Sequence, residues 1–199
     1  MSPLLLTICL FGNSLLRTKA VPVKIFDDAR KTLYKRMLSI MQGSKGIGLA
    51  AQQIGWNEHV LVINLAGVCR VRPDLVDFCI FDGQKISVGK IMPLVVINSV
   101  ITWTSPEKVP SQEGCLSIPG IQGTVERFKE IEIRFQDPDG REHTLRCDRL
   151  FSFCVQHERD HLEGVLFIDH LGDEVRDGLE KRLLSMEEKG KKQKMKPLL

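Results

Sequence analysis

The chain has 199 residues, of which 43% are hydrophobic and 27% are charged, a mixture typical of a globular protein with one sizeable core. No apolar run approaches the roughly 18 residues that a membrane-spanning helix needs, so the sequence predicts no membrane segment. The formal net charge is +3, but residues 189–199 contain five lysines and no acid. Subtracting those five from the 28 Lys and Arg residues leaves 23, against 25 Asp and Glu, a net charge of −2.

The positive charge is therefore concentrated in a basic C-terminal tail, residues 189–199. We interpret this tail either as a solvated end or as a segment that binds a polyanion. The slightly acidic remainder of the chain gives no reason to expect DNA binding.

The first residues include a short apolar run, residues 4–11, that could be taken for a secretory signal. No Lys or Arg precedes the run and no small-residue cleavage site follows it. We therefore predict a first strand that ends at Gly12-Asn13 and a cytoplasmic protein. The six cysteines form no Cys-x-x-Cys pair, so we interpret most of them as small core residues, with Cys115 as the exception.

The predicted elements begin with a helix at 26–43, which Asp27 or Asp28 can cap and Gly43 ends. Its apolar stripe consists of Ala29, Leu33, Met37, Ile40 and Met41. Residues 129–136 alternate strictly and precede a tight turn, which predicts a hairpin with 143–147. The other predicted elements are strands at 60–66 and 93–103, a helix from about Asp148 to Glu163 that Gly164 ends, and a helix at about 173–188 capped by Asp173.

Few helices and many short strands joined by hairpins indicate antiparallel sheets rather than βαβ units. The predicted fold is α+β, with antiparallel β-sheets packed around a central helix that carries a His-Glu-x-x-His motif, an N-terminal helix and a C-terminal helix. We expect one catalytic domain, residues 1–188, followed by the basic tail. Residues 67–92 are poorly patterned, and we interpret them as an irregular insertion.

The segment VQHERDHLEG, residues 155–164, is the strongest candidate for a reactive site. On a helix, His157 and His161 lie one turn apart and can reach one cation, and Glu158 can take a proton from water at that cation. A surface helix that happens to contain this pattern is the alternative. Three residues on the same stripe form either ordinary core or an apolar pocket beside the metal: Leu150, Phe153 and Cys154.

A catalytic site of this type needs a third protein ligand and one open position. Metzincin proteases place a histidine six residues after the second one, where this chain has Phe167, so that class fails. A downstream glutamate, Glu174 or Glu180, would indicate a thermolysin-like peptidase, whereas Cys115 would supply a thiolate, a strong ligand for Zn²⁺ or Fe²⁺. A non-catalytic domain with a structural metal is a further alternative, although structural sites usually close with four protein ligands.

Residues 43–55, GSKGIGLAAQQIG, are rich in glycine and other small residues. They resemble a phosphate-binding loop but lack its Gly-Lys-Ser/Thr ending, which argues against a nucleotide site. Small residues here would let the backbone lie against a ligand, and the Gln53 amide could donate to an oxyanion.

Three segments in this order, GIGLAAQQ (46–53), EGCLS (113–117) and QHERDH (156–161), closely resemble the motifs of the peptide deformylase family. The resemblance implies a metal-dependent hydrolase that removes the formyl group from the N-terminal methionine of new polypeptides. It implies one divalent ion, with Fe²⁺ favoured and Zn²⁺, Ni²⁺ or Co²⁺ accepted. The implied ligands are Cys115, His157 and His161. An HExxH peptidase with a downstream glutamate ligand stays as the alternative.

The resemblance also implies roles for residues around the ion. Glu158 would be the general base and then the acid that protonates the leaving amine. The Gln53 amide and the Leu116 backbone N–H would hold the developing oxyanion, and Glu113 would brace the site. The residues expected on the substrate side are Ile47, Gly48, Glu113, Gly114, Leu150, Phe153 and Cys154.

The implied substrates are nascent N-formylmethionyl peptides. The C-terminal helix with its lysine tail resembles the bacterial type that docks on the ribosome, where lysines would meet rRNA phosphates. Four residues depart from the family's usual pattern: Ser99 and Glu126 where proline is common, Gln122 where arginine is frequent, and Arg149 where glycine is usual. These differences concern strand ends, the outer substrate groove and the start of the metal helix.

Overall fold

The computed structural model describes residues 8–193, which form two antiparallel sheets and a set of helices around them. The strands are β1 (Gly48–Ala50), β2 (Val60–Ile63), β3 (Cys79–Phe81), β4 (Gln84–Lys85), β5 (Leu94–Thr104), β6 (Lys108–Cys115), β7 (Ile118–Phe128), β8 (Glu130–Gln136) and β9 (Glu142–Asp148). The α-helices are α1 (Asp28–Gly43), α2 (Ala66–Val71), α3 (Arg149–Leu162) and α4 (Asp173–Lys192). The larger sheet has the order β1-β2-β5-β8-β9-β3-β4, and β6 pairs with β7 alone. The prediction of an α+β fold with antiparallel sheets and a C-terminal helix is confirmed.

The main core lies between α3 and the larger sheet. Ile131, Ile133 and Phe135 alternate along β8 and are almost fully buried, in one apolar cluster with Phe151 and Val155 of α3. A slip of one residue would turn all three β8 side chains to the other face, so the alternation fixes the register. The hairpin predicted from this pattern is present, with β8 and β9 paired from Glu130↔Asp148 to Gln136↔Glu142.

Helix α1 packs against β1 and β2. The Asp27 side chain caps it by accepting a hydrogen bond from the Arg30 N–H at 2.9 Å, as the sequence predicts. The predicted stripe is wrong at one end, because Ala29 is exposed and the buried face instead includes Tyr34, whose ring stacks on Trp56. A stripe of aliphatic residues does not predict that a tyrosine is buried by stacking on a tryptophan elsewhere in the chain.

Residues 67–92 are not irregular, and that prediction is wrong. They contain most of α2 and the short hairpin of β3 and β4, and β3 pairs with β9 through the register Cys79↔Cys147. The Asp148 carboxylate also accepts hydrogen bonds from the backbone N–H groups of Asp77 and Phe78. Strands of two or three residues carry too little periodicity to be recognised locally, so the pairing with β9 defines them.

Helix α4 is longer than predicted, because it runs to Lys192 rather than 188 and its N-cap is Gly172 rather than Asp173. Residues 189–192, assigned to the tail, are therefore helical, and the rest of the tail beyond residue 193 lies outside the described residues. The predicted strand at 4–11 begins outside them as well, and its described part, residues 8–11, has no assigned strand. Within residues 8–193, every helix is too short or too polar to span a membrane.

His143 on β9 links two turns of the larger sheet. Its Nδ1 lies 2.7 Å from Asp82 Oδ2 in the β3–β4 turn, and its Nε2 lies 3.3 Å from Asp137 Oδ2 in the β8–β9 turn. Burial acts to lower the pKa of His143, but the two carboxylates outweigh burial and raise that pKa above its usual value. Burial acts to raise the pKa of both aspartates, and hydrogen bonds from His143 and from backbone N–H groups lower it.

We expect the stability from this cluster to be greatest between about pH 4 and about pH 6.5, the usual pKa values of Asp and His. Protonated His143 stabilises the fold below its unfolded pKa, and this stability is lost as pH rises through its raised folded pKa. The aspartates stabilise the fold above their unfolded pKa, and this stability is lost as pH falls through their lowered folded pKa. In His143→Gln, the free energy of unfolding measured in urea should vary less with pH on both sides of this range. Parallel curves for the variant and the wild type would contradict the assignment.

Candidate metal and catalytic site

Helix α3 and strand β6 bring together the three predicted metal ligands. The candidate ligand atoms of Cys115, His157 and His161 all lie within 4.8 Å of one another. His161 Nε2 is 3.2 Å from Cys115 Sγ. His157 Nδ1 is 2.8 Å from Glu113 Oε2, which leaves the other ring nitrogen, Nε2, as its ligand atom. A thiolate with two imidazoles is a donor set that suits Zn²⁺ or Fe²⁺.

Cys115 is the last residue of β6, and the pairing with β7 shifts register between Gly114 and Cys115. Such irregularities re-aim a side chain at the end of a ladder. Gln53 approaches from the other side, with Nε2 at 3.4 Å from Cys115 Sγ and 3.2 Å from Ser117 Oγ. Its Oε1 accepts a hydrogen bond from the Ala50 N–H at 2.8 Å, so the donor end of the amide is directed toward the cysteine.

Glu113 is buried and ionised. Arg127 on β7 donates to both of its carboxylate oxygens, at 2.7 and 2.9 Å, and also to Asp160 Oδ2 at 2.6 Å. Burial acts to raise the pKa of Glu113, but hydrogen bonds from Arg127 and His157 outweigh it and lower that pKa to about 2. The Glu113 side chain is therefore fully paired, with Arg127 and with His157.

Arg127 and Asp160 are not among the site residues predicted from the sequence. The signal was nevertheless present, because inward-facing residues alternate along β7 and Arg127 follows Ile121, Gly123 and Val125 on the buried side. A charged residue at an inward position of a strand predicts a buried ionic partner. His170 completes the group, with Nε2 at 2.8 Å from Asp160 Oδ2.

Glu158 lies on α3 next to the candidate ligand His157 and is 4% exposed. Burial raises its pKa to about 7, although nearby His157 acts to lower it. Its Oε2 has no hydrogen-bond partner among the described side chains and backbone. Gly48 lies against this carboxylate so closely that a Cβ there would overlap Glu158 Oε1, so any side chain at position 48 would displace the Glu158 carboxylate.

A cavity of about 630 Å³ opens beside the three candidate ligands. The predicted substrate-side residues Ile47, Gly48, Glu113, Gly114, Leu150, Phe153 and Cys154 all line it, together with Gln53 and Leu116. Helix α3 contributes apolar residues to its lining, among them Cys154, which is buried and whose thiol is 3.8 Å from the Ile47 carbonyl oxygen. The apolar stripe on α3 therefore faces the cavity as well as the core.

The residues that depart from the family pattern lie in separate places. Gln122 lines the cavity, whereas Glu126 is exposed on β7. Arg149 begins α3 with a left-handed backbone, φ 45°, and Asn98 before Ser99 has φ 52°. The Asn98 amide compensates locally by bonding the backbone N–H and C=O of Val23.

The alternative metal ligands are not near the histidines. Glu174 and Glu180 are exposed on α4, and in the part of the chain that the structure describes the group able to hold a metal is Cys115 with His157 and His161. A peptidase with a downstream glutamate ligand is therefore not favoured.

A family model described as polypeptide deformylase matches residues 5–177. The chain belongs to the peptide deformylase family. This is a family of metalloenzymes, hydrolases that remove the N-formyl group from formyl-methionyl peptides.

Relatives and solved structures agree with this assignment. The chain is 42% identical to a peptide deformylase of Opitutus terrae over 172 residues, 85% of this chain and 86% of the relative. It is 46% identical to one of Novosphingobium aromaticivorans over 162 residues, 78% of this chain and 83% of the relative. The fold is similar to peptide deformylase 1B of Arabidopsis thaliana, with a TM-score of 0.78, 34% identity and coverage of 92% and 91% of the two chains. The Thermus thermophilus structure gives a TM-score of 0.74, 33% identity and coverage of 92% and 98%.

Removing the Arg127 guanidinium should strongly destabilise this deformylase fold. Arg127→Met would leave the Glu113 charge buried without its main partner, which typically costs about 3–5 kcal/mol. Lys129→Met is the matched control two residues away, because the Lys129–Glu107 pair is at the surface and should contribute less than about 1 kcal/mol. The free energy of unfolding of both variants, measured in urea, tests this. Equal losses of unfolding free energy would show that the buried ion pair contributes no more than the exposed one.

Proposed function

We propose that this chain is a metal-dependent deformylase that acts on the N-terminal formyl-methionine of newly made polypeptides. The observation that supports the proposal most directly is the cluster of Cys115, His157 and His161 beside a buried Glu158, at the edge of an apolar cavity. The cytoplasm, where nascent chains emerge, is the location that we propose for this activity.

The proposed cofactor is one divalent ion, with Fe²⁺ favoured and Zn²⁺, Ni²⁺ or Co²⁺ as alternatives. The fit of the residues supports it: His157 is oriented by Glu113, and the Nε2 of His161 lies beside the Cys115 sulfur. When bound, the ion supplies Lewis acidity that polarises the formyl carbonyl and activates water. Three protein ligands leave one position open, as catalytic sites require.

The chain's own residues would divide the remaining steps. The Glu158 carboxylate would take a proton from the attacking water and then give it to the departing amine, so that formate and a free N-terminus result. A pKa of about 7 for Glu158 supports both roles near neutral pH. The Gln53 amide, fixed by its bond from Ala50 N–H, and the Leu116 N–H would donate to the oxyanion.

Substrate selection would follow from the shape of the cavity. Its apolar wall, with Ile47, Leu150 and Phe153, suits the methionine side chain. The backbone near Gly48 and Gly114 would pair with the peptide in the manner of an added strand. A narrow space between the ligands and these strands would admit a formyl group and exclude larger acyl groups.

Protein purified without oxygen should release formate from formyl-Met-Ala-Ser in proportion to its bound metal, at about one ion per chain. Formate release and metal content, measured on the same sample, test this. A metal-loaded protein that releases no formate but cuts internal peptide bonds would favour the peptidase instead.

Two substitutions should separate metal binding from proton transfer. Cys115→Ala should abolish tight metal binding, because a thiolate ligand is lost. Glu158→Gln should keep the fold and the metal and lower kcat by about 10²–10⁴. Glu174→Ala, at the ligand position of the alternative peptidase, should change neither property; loss of metal in that variant would overturn the ligand assignment.

We also propose that the basic end of the chain binds the ribosome. Lys189, Lys191 and Lys192 are exposed on the last turn of α4, and Lys194 and Lys196 follow outside the described residues. Lysines near phosphates release counterions, so binding would weaken steeply with salt.

Changing all five of these lysines to glutamine should remove salt-dependent co-sedimentation with ribosomes while formate release from the short peptide persists. Charge removal is preferable to deletion of 187–199, because deletion would also remove Gly190 and Gln193, which contact the protein body. A control with the same change of charge replaces Lys24, Lys35, Lys85, Lys90 and Lys108. Equal co-sedimentation of the tail variant and this control would refute a role for the tail.

A further inference from the structure

Residues 8–11 lie against two elements of the candidate active site. The Cys9 N–H donates to the Gln53 carbonyl oxygen at 2.7 Å, and the Phe11 N–H donates to the Ser117 carbonyl oxygen at 2.9 Å. Gln53 carries one proposed oxyanion donor, and Ser117 directly follows Leu116, which carries the other. The segment therefore joins the backbones of the two elements that present these donors.

The opposite edge of this segment is held by the end of α4. The Gln193 side chain, one residue beyond the helix, accepts a hydrogen bond from the Leu10 N–H at 2.8 Å through Oε1. Its Nε2 donates to the Ile8 carbonyl oxygen, also at 2.8 Å. One primary amide therefore binds two backbone groups of this segment, the Leu10 N–H and the Ile8 carbonyl oxygen.

Two glycines let the helix and the segment touch backbone to backbone. A Cβ at Gly190 would overlap the Phe11 carbonyl oxygen, and a Cβ at Gly12 would overlap the Glu187 carbonyl oxygen. Gly190 is buried, although its neighbours Lys189 and Lys191 are exposed. The last turn of α4 is thus docked on the protein body by its shape as well as by the Gln193 amide.

We infer that Gln193 and Gly190 are positioning residues for the oxyanion donors, which they reach through residues 8–11. This inference rests on the proposed deformylase function, in which Gln53 and Leu116 stabilise the oxyanion. Without the Gln193 amide, the segment loses the hydrogen bonds at its Leu10 N–H and its Ile8 carbonyl oxygen, and its bonds to Gln53 and Ser117 are held less firmly. Oxyanion donors are effective only at hydrogen-bond distance from the developing charge, so small displacements lower the rate.

The experiment compares Gln193→Ala with the full-length, metal-loaded wild type. We expect kcat for formyl-Met-Ala-Ser to fall about threefold to tenfold, a part of the 10²–10³ that loss of a whole donor costs. KM should stay nearly constant, because the donors act in the transition state rather than on the bound substrate. In hydrogen-exchange measurements, the Cys9 and Phe11 amides should exchange faster.

Gln193→Glu keeps the acceptor for the Leu10 N–H but places a carboxylate oxygen against the Ile8 carbonyl oxygen, so its kcat should also fall below that of wild type. Glu188→Gln, at an exposed position near the end of α4, is the control and should match wild type in both measurements. A purely structural role would lower the melting temperature of Gln193→Ala and leave kcat per folded molecule unchanged, and that result would overturn the inference. A wild-type chain without formate release would overturn the proposed function together with it.

Discussion

The buried carboxylate of Glu113 joins the three elements on which the candidate site depends. It belongs to β6, accepts both hydrogen bonds from Arg127 of β7, and orients His157 of α3. Burying an ion pair costs several kcal/mol of desolvation, and only close geometry offsets that cost. The two-stranded sheet therefore cannot slide along α3 without leaving a charge unpaired, and this constraint keeps Cys115, two residues after Glu113, next to the histidines.

The same arrangement separates the properties of two buried glutamates. Burial acts to raise the pKa of Glu113, but hydrogen bonds from Arg127 and His157 lower that pKa to about 2. Glu158 Oε2 has no such partner among the described residues, and burial raises the pKa of Glu158 to about 7 although nearby His157 acts to lower it. Neighbouring carboxyl groups whose pKa values are driven apart can take different tasks. The first keeps a fixed charge and holds a ligand in place, and the second can exchange a proton near neutral pH.

The sequence predicts most reliably those features that a short, continuous segment contains. The three motifs, the cap of α1 and the alternation on β8 are of this kind. Features that depend on pairing between distant segments are not predictable in this way. Arg127 meets Glu113 only through the register of β6 with β7, and β3 is too short to show a pattern before it pairs with β9. The end of α4 has the composition of a solvated tail, and its docking depends on Gln193 meeting residues more than 180 positions earlier.

At the start of α3, contacts with a distant segment accompany an unfavourable backbone conformation. Arg149 adopts φ 45°, a conformation that costs an ordinary residue about 1–2 kcal/mol and glycine almost nothing. Its guanidinium bonds Asp77 Oδ2 at 2.8 Å and the Asp74 carbonyl oxygen at 3.1 Å, but an exposed ion pair contributes only about 0–1 kcal/mol. The buried Asp148 carboxylate ties the same segment to the end of β9, because it accepts hydrogen bonds from the Asp77 and Phe78 N–H groups instead of capping α3. The segment before β3 therefore fixes the direction in which α3 leaves β9, and with it the placement of the apolar wall that α3 contributes to the cavity.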